Sequence, residues 1–323
     1  KQVGLDEYTK LVDEAGAEKQ DLNKRYEKYA AAQAWLTDSA LLIPVTSRTG
    51  RPTLTKVVPF SAPFAWSGAK AREAASYKYM KLQDETVTTK DYNSAQEKWN
   101  KERVESNKKA QEELAEVVAK LKSKDYFVVC MGGGHDIAYG TYNGILSYAK
   151  TQSKNPKIGI ISFDAHFDMR EYDKGANSGT MFYQIANDCK RDGIKFDYNV
   201  IGIQRFSNTK RLFDRAKSFG VTYYLAEDIL KLSDLNITPI LERNDYIHLT
   251  ICTDVFHITC APGVSAPQTF GIWPNQAIGL LNTIAKTKKN LTLEVAEISP
   301  RYDYDDRTSR LIANLIYQVI LKH

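Results

Sequence analysis

At 323 residues, with 44 Lys+Arg against 39 Asp+Glu and a net charge of +5, the chain has length for about two domains at ~150 residues each. The basic excess is mild and scattered, which argues against nucleic acid or a membrane surface as partner, and no apolar run approaches the ~20 residues of a membrane helix. The four cysteines, Cys130, Cys189, Cys252 and Cys260, match neither a disulfide framework nor a zinc ribbon and suit a reduced, cytoplasmic setting.

No secretory signal opens the sequence, which begins at Lys1 and reads as a fragment or a processed product. Residues 1 to about 40 read as helical, with Tyr26, Tyr29, Ala32 and Leu36 at helical spacing. Leu41 to Val45 reads as a short strand, Thr46 to Pro52 as a turn, and Val57 to Phe60 and Phe64 to Trp66 follow as apolar patches. Tyr77 to Leu82 reads as a half-buried strand, and Tyr92 to Lys122 as a solvated amphipathic helix that shades into a linker. No chemistry-bearing cluster stands in this half. Ala31 to Ser39, Val57 to Phe60, Tyr77 to Leu82, Val87 to Lys90 and Glu105 to Gln111 resemble the carboxyl-terminal end of an oligopeptide-binding lipoprotein of a bacterial ABC importer. The resemblance covers residues 1–118 and only a terminal piece of that family.

From Lys124 the pattern changes to strands alternating with helices, which implies βαβ units and a parallel, doubly wound sheet. The strands are expected at 126–131, 158–163, 198–203, 223–225, 246–252 and 291–298. The helices are expected from Ile137 and over 181–192, 210–219, 233–243, 276–287 and 308–321. In open α/β sheets the chemistry collects at the carboxyl ends of the strands. Those ends carry His135 after three glycines, then Asp164, His166 and Asp168, then Asp254, and finally Glu297. Carboxylates with imidazoles suit hard to borderline divalent cations, and a pair of such ions about 3.5–4 Å apart can activate a shared water.

Each residue alone has a plainer reading. His135 could cap the next helix, Asp254 could end a strand, Glu297 could pair with Arg301 or Arg307, and His248 is expected to be a packed core histidine. Their joint order carries the specificity. Gly133 to His135, Asp164 to Asp168, Asp254 with Ala261 to Gly263, and Glu297 to Pro300 resemble the ureohydrolase family of arginases, agmatinases and formimidoylglutamases, over about residues 119–323. Asp168 to Arg170, Ser178 to Thr180 and Ala261 to Pro267 look most like formimidoylglutamase, since the other two would carry a His where Ser178 stands.

The resemblance implies an arginase-like doubly wound parallel sheet, its N-terminal part missing, preceded by a small α+β segment. It implies two Mn2+, one held by His135 and Asp168, the other by His166 and Asp254, with Asp164 bridging. Cys252 stands where the family carries a second bridging carboxylate, so it is either a soft sixth ligand or a buried strand cysteine beside a weaker ion. The implied reaction is hydrolysis of N-formimidoyl-L-glutamate to L-glutamate and formamide. There Glu297 would hold the cationic formimino nitrogen, Asp168 would carry a proton to the leaving amine, and Arg170 and Ser178 would bind substrate.

The implied partner is a small molecule, with neither nucleic acid nor membrane, and a homo-oligomer is allowed. The alternatives are a guanidino hydrolase of the agmatinase or arginase kind, and an inactive fusion or fragment of an oligopeptide-binding transport protein. The expected division is 1–118 and 119–323. An exposed, cleavable junction is expected near 113–124, with a loosely attached appendage before it.

Overall fold

The computed structural model describes residues 5–38, 56–61, 81–173, 175–229, 235–287 and 289–323. The chain divides into two compact units, residues 1–92 and 93–323. In the first, helices α1 (Asp6–Ala17) and α2 (Leu22–Asp38) bury Ala15 and Ala32, and the Tyr8 and Trp35 rings lie 6.2 Å apart. A single antiparallel bridge joins Val57 to Leu82. The strand expected at 41–45, the patch at 64–66 and most of 77–82 lie outside the described residues.

Helix α3 (Thr89–Lys122) contains the division between the units, and the rest of it belongs to the second. Here the expectation of an exposed junction gives way to a packed helix. Gln111, Val118 and Lys122 are buried, a spacing of seven and four that keeps one stripe inward. α3 lies against α4 (Ile137–Gln152) so closely that a β-carbon at Gly140 would stand 2.7 Å from the Gln111 carbonyl, and one at Gly144 would stand 2.7 Å from that of Ala115. Only glycine permits this approach.

Lys122 is 5 % exposed, and its Nζ donates to the Leu291 carbonyl at 3.1 Å. Burial lowers its pKa from 10.5 to about 8, against a weaker upward pull from Asp125. Between those two values the unfolded chain binds more protons than the folded one, so this group makes stability rise with pH through that window. Lys122→Met is expected to flatten the rise in urea-unfolding free energy between about pH 8 and 10. An identical rise in the variant would refute the assignment.

The second unit is built on six parallel strands: β1 (Val128–Met131), β2 (Ile158–Phe163), β3 (Asp197–Ile203), β4 (Thr222–Leu225), β5 (Tyr246–Cys252) and β6 (Asn290–Ala296). Their order is β1-β6-β5-β2-β3-β4. β2, β3 and β5 are buried at every position, as the inner strands of a parallel sheet covered on both faces are; β2 is apolar but for Ser162, whereas β3 and β5 carry buried polar residues such as Asn199 and Thr250. Alternate residues feed opposite cores. Ile161 and Phe163 pack with the side that holds α8 (Pro274–Lys286) and α9 (Arg307–Lys322), while Ile158 and Ile160 pack with α4 and α5 (Met181–Asp192).

α6 (Lys210–Ser218) and the short α7 (Thr238–Glu242) complete the alternation. The described part of α7 is shorter than the helix expected over 233–243. From β2 the chain proceeds outward to β3 and β4, then returns to β5 on the other side of β2. The crevice between the carboxyl ends of β2 and β5 is therefore the point where the winding reverses, the place such sheets use for ligands.

Candidate metal centre

The side chains expected to hold cations do meet at this crevice. Asp164 follows β2 directly, Cys252 ends β5 with Asp254 in the 3-10 turn after it, and His135 precedes α4. His135 Nδ1 lies 3.0 Å from Asp164 Oδ2 and 3.1 Å from Asp168 Oδ2. His166 Nδ1 lies 3.5 Å from Asp164 Oδ1 and 3.2 Å from Asp254 Oδ2. Both imidazoles thus aim the same nitrogen at carboxylate oxygens, and Asp164 stands between them. His135, Asp164 and Cys252 form one group with ligand atoms close enough for a cation, and Asp164, His166 and Asp254 form a second.

Asp164 Oδ2 is buried and makes no hydrogen bond, although His135 Nδ1 is near it. A buried carboxylate oxygen without a donor is costly unless a cation takes that role, so the residues fit a metal. His166 retains 19 % of its side-chain surface whereas His135 has none, which makes His166 the cleft-facing member.

Asp168 and Glu297 both sit at positive φ, 48° and 63°. Non-glycine residues rarely accept this conformation, at a cost of about 1–2 kcal/mol, and here it turns the chain sharply just beyond β2 and β6. Glu297 Oε1 accepts from the His135 backbone N–H at 3.0 Å and Oε2 from Ser265 Oγ at 2.8 Å. The carboxylate is thereby fixed beside the cluster. Ser178 is half-buried, and its β-carbon would lie 3.4 Å from a side chain started at Gly134, with Glu297 Oε1 at 3.6 Å from the same point.

Arg170 is exposed at the mouth. It shares a cleft of about 430 Å³ with His166, Asp168 and Asn208. Its guanidinium lies over Gly179, where any β-carbon would collide with it at 2.5 Å.

Electrostatics follow from this crowding. Burial pulls the His135 pKa down, but the close Asp164 and Asp168 carboxylates outweigh it and hold the imidazole well above its ordinary range. His166, also pulled down by burial, is raised to about 11 by Asp164 and Asp254. Burial favours neutral Asp164, and the two imidazoles overcome it and hold the acid well below the usual carboxylate range. Burial and then the Asp164 charge push Asp168 up to about 7.

Burial, with Asp164 and Asp254 next, pushes the Cys252 thiol well above its ordinary value, so it donates to Asp254 Oδ1 at 3.0 Å. One cation position therefore has a neutral thiol in place of a negative oxygen. Cys252→Asp is expected to tighten the weaker of two ions about tenfold, the scale of a charge-assisted contact of ~1.5 kcal/mol. Unchanged Mn2+ affinity by titration would remove Cys252 from the site.

Beneath the cluster lies a polar column that the sequence reading did not identify. His135 Nε2 meets Thr250 Oγ1 at 2.8 Å, and Thr250 Oγ1 donates to Glu294 Oε1 at 2.9 Å. His248 Nε2 is 3.4 Å from Glu294 Oε2, so His248 is a buried histidine of the core as expected, but a polar one. Thr250 and Glu294 are register partners on β5 and β6, on the face that carries Cys252 two residues on. A Thr and a Glu inside otherwise apolar buried strands were the available signal. Such outer contacts fix which imidazole nitrogen faces the cation.

A parallel α/β sheet with carboxylates and imidazoles gathered at its reversal point has side chains that could hold divalent cations. More particularly, residues 62–322 match the arginase family, and the chain belongs to it. Over 214 residues, 66 % of this chain and 67 % of the relative, it is 96 % identical to a formimidoylglutamase of Fusobacterium nucleatum subsp. nucleatum. Over 113 residues, 35 % of this chain but 17 % of the relative, it is 81 % identical to the oligopeptide-binding protein SarA of Streptococcus gordonii. A crystal structure of formimidoylglutamase from Bacillus subtilis superposes with a TM-score of 0.59 at 23 % identity, over 66 % of this chain and 67 % of that one. The chain thus joins a piece similar to a transport protein to about two thirds of an arginase-family protein. No described helix is long and apolar enough to cross a membrane.

Proposed function

We propose that the chain is a manganese-dependent hydrolase of a linear amidine, N-formimidoyl-L-glutamate, which it cleaves to L-glutamate and formamide. The observation that carries this reading is the convergence of His135, Asp164, His166, Asp168 and Asp254 in one buried cluster. The near-identity to a formimidoylglutamase supports the choice of substrate. In this proposal His135, Asp168, Asp164 and Cys252 would hold one ion, and Asp164, His166 and Asp254 would hold the other. Oxygen and nitrogen donors dominate both sets, which suits Mn2+ over softer ions. Bound divalent ions would supply an acidified water and polarise the carbon it attacks.

The protein's own groups do the rest. Glu297, fixed by Ser265 and the His135 backbone, holds the cationic formimino nitrogen. Asp168 holds a proton for the leaving amine, and Arg170 binds a substrate carboxylate while Ser178 shapes the pocket beside Glu297. The proposed division leaves residues 1–118 without a catalytic part and places the chemistry in 119–323. An agmatinase- or arginase-type reaction is the second reading. The test is steady-state turnover by the Mn2+-loaded full chain. Formimidoylglutamate is expected to be cleaved in preference to agmatine and arginine, and faster cleavage of agmatine would overturn the choice.

A further inference from the structure

We infer that α3 is a strut of the metal centre, in which Asn107 and Gln111 hold the loop that presents His135. Asn107 Nδ2 donates to Asp136 Oδ2 at 2.6 Å, and Gln111 Nε2 donates to the Asp136 carbonyl at 3.1 Å. Asp136 directly follows His135 and stands at the N-cap of α4, yet its side chain makes no capping bond to that helix. Its carboxylate is turned to α3 instead.

The loop needs such support. Gly132, Gly133 and Gly134 precede His135, and a β-carbon at Gly133 would have no atom within 4 Å. Three glycines in a row impose little conformational restraint of their own. On one flank the loop is tied to the β6 side, through Gly132 N to Val295 O at 3.0 Å, Glu297 N to Gly133 O at 2.7 Å and His135 N to Glu297 Oε1 at 3.0 Å. On the other flank the two amides of α3 supply the ties.

Asn107 and Gln111 are four residues apart and so share one helix face, Gln111 buried and Asn107 half-buried in a segment that is otherwise charged and solvated. Asn107 Oδ1 is buried without a partner, so the amide is kept there at a cost that plain packing would not require. Both residues fall within Glu105 to Gln111, the stretch that resembles the transport protein. In this reading the attached segment completes the hydrolase site without contributing a ligand to it. Val104 touches a different loop, since a β-carbon at Gly175 would lie 2.3 Å from its Cγ2.

This inference rests on the metal-centre reading. The test uses the full chain with Asn107→Leu and Gln111→Met, which remove the amides, keep side chains of similar length and favour helix. The readout is the Mn2+ dissociation constant, from titration followed by the electron paramagnetic resonance of free Mn2+, with helix content checked by circular dichroism. The double variant is expected to bind one Mn2+ about tenfold more weakly at unchanged helix content, and Val104→Ala to bind as the parent does. The two single variants, each expected to lose about threefold, carry the same test if the double variant does not fold. Parent-like affinity in the Asn107 and Gln111 variants would overturn the inference, as would an equal loss in Val104→Ala, which would tie affinity to helix docking alone. A parent chain that takes up no Mn2+ would overturn the metal-centre reading and this inference with it.

Discussion

Asp164→Asn is expected to weaken both cations together, the largest effect of any single change at the site. Asp164 is fully buried and faces His135 through one oxygen and His166 through the other, so it is the one carboxylate common to both candidate positions. Asn keeps the volume and can still accept the His166 backbone N–H that Asp164 Oδ1 accepts at 2.8 Å, so the loop survives. What disappears is the negative charge. Removing one partner of a buried charged pair costs about 3–5 kcal/mol, which corresponds to two to nearly four powers of ten in affinity. Equilibrium dialysis against Mn2+ should show up to two ions per parent chain and none held at micromolar concentration by the variant, with turnover lost in parallel. In the parent, cation and proton compete for the same nitrogens of His135 and His166, both held above the ordinary imidazole range, so affinity should climb with pH through neutrality. Two ions bound by Asp164→Asn with parent affinity would show that the cluster is a salt-bridged strand end and nothing more.

The parts of this arrangement that were legible in the sequence are those the parallel sheet dictates locally. β2 and α5 have the bounds expected for them, because an apolar run cut off by Asp164, and a helix with Gly193 in the left-handed conformation just past its end, are signals written in neighbouring residues. The meeting of His135, Asp164, His166, Asp168 and Asp254 was legible for the same reason, since strand ends of a doubly wound sheet converge. Thr250 and Glu294 were not, because a polar residue within a buried strand shows its role only when the register sets it beside His135. Asn107 and Gln111 were less legible still. In a helix of Lys, Glu and Asn, nothing local marks which amides will meet Asp136, 25 residues beyond Gln111. The exposure expected over 113–124 was misjudged at Val118 and Lys122 on a similar point. Charged composition suggested solvent, whereas Gly140 and Gly144 on another helix made the groove that receives Val118 and the α3 backbone.

Arg170→Ala tests the substrate assignment rather than the metal. Among the described residues no acid pairs with the Arg170 guanidinium. The nearest candidate in sequence, Glu171, is engaged by Arg211 and by Arg215, the latter at 2.9 Å, and Arg215 also donates to the Met169 carbonyl at 2.5 Å. The cleft lining therefore holds the guanidiniums of Arg170, Arg211 and Arg215 against the carboxylates of Glu171 and the buried Asp168, and the proposed function assigns Arg170 to an incoming anion. Formimidoylglutamate brings two carboxylates, agmatine none. Since Arg170 is exposed in the free protein, the lost contact should be smaller than for a fully buried pair, about 1.5–3 kcal/mol, or roughly 10- to 100-fold in kcat/KM. The loss should fall mainly on KM, because a carboxylate remote from the reacting carbon is held alike in ground and transition states. Mn2+ stoichiometry should stay at the parent value. Arg170→Lys should recover only part of the loss, since an ammonium lacks the bidentate fork that fits a carboxylate. An Arg170→Ala chain with parent KM for formimidoylglutamate would remove this residue from substrate recognition, while a fall in Mn2+ content would mean that it supports the metal loop instead.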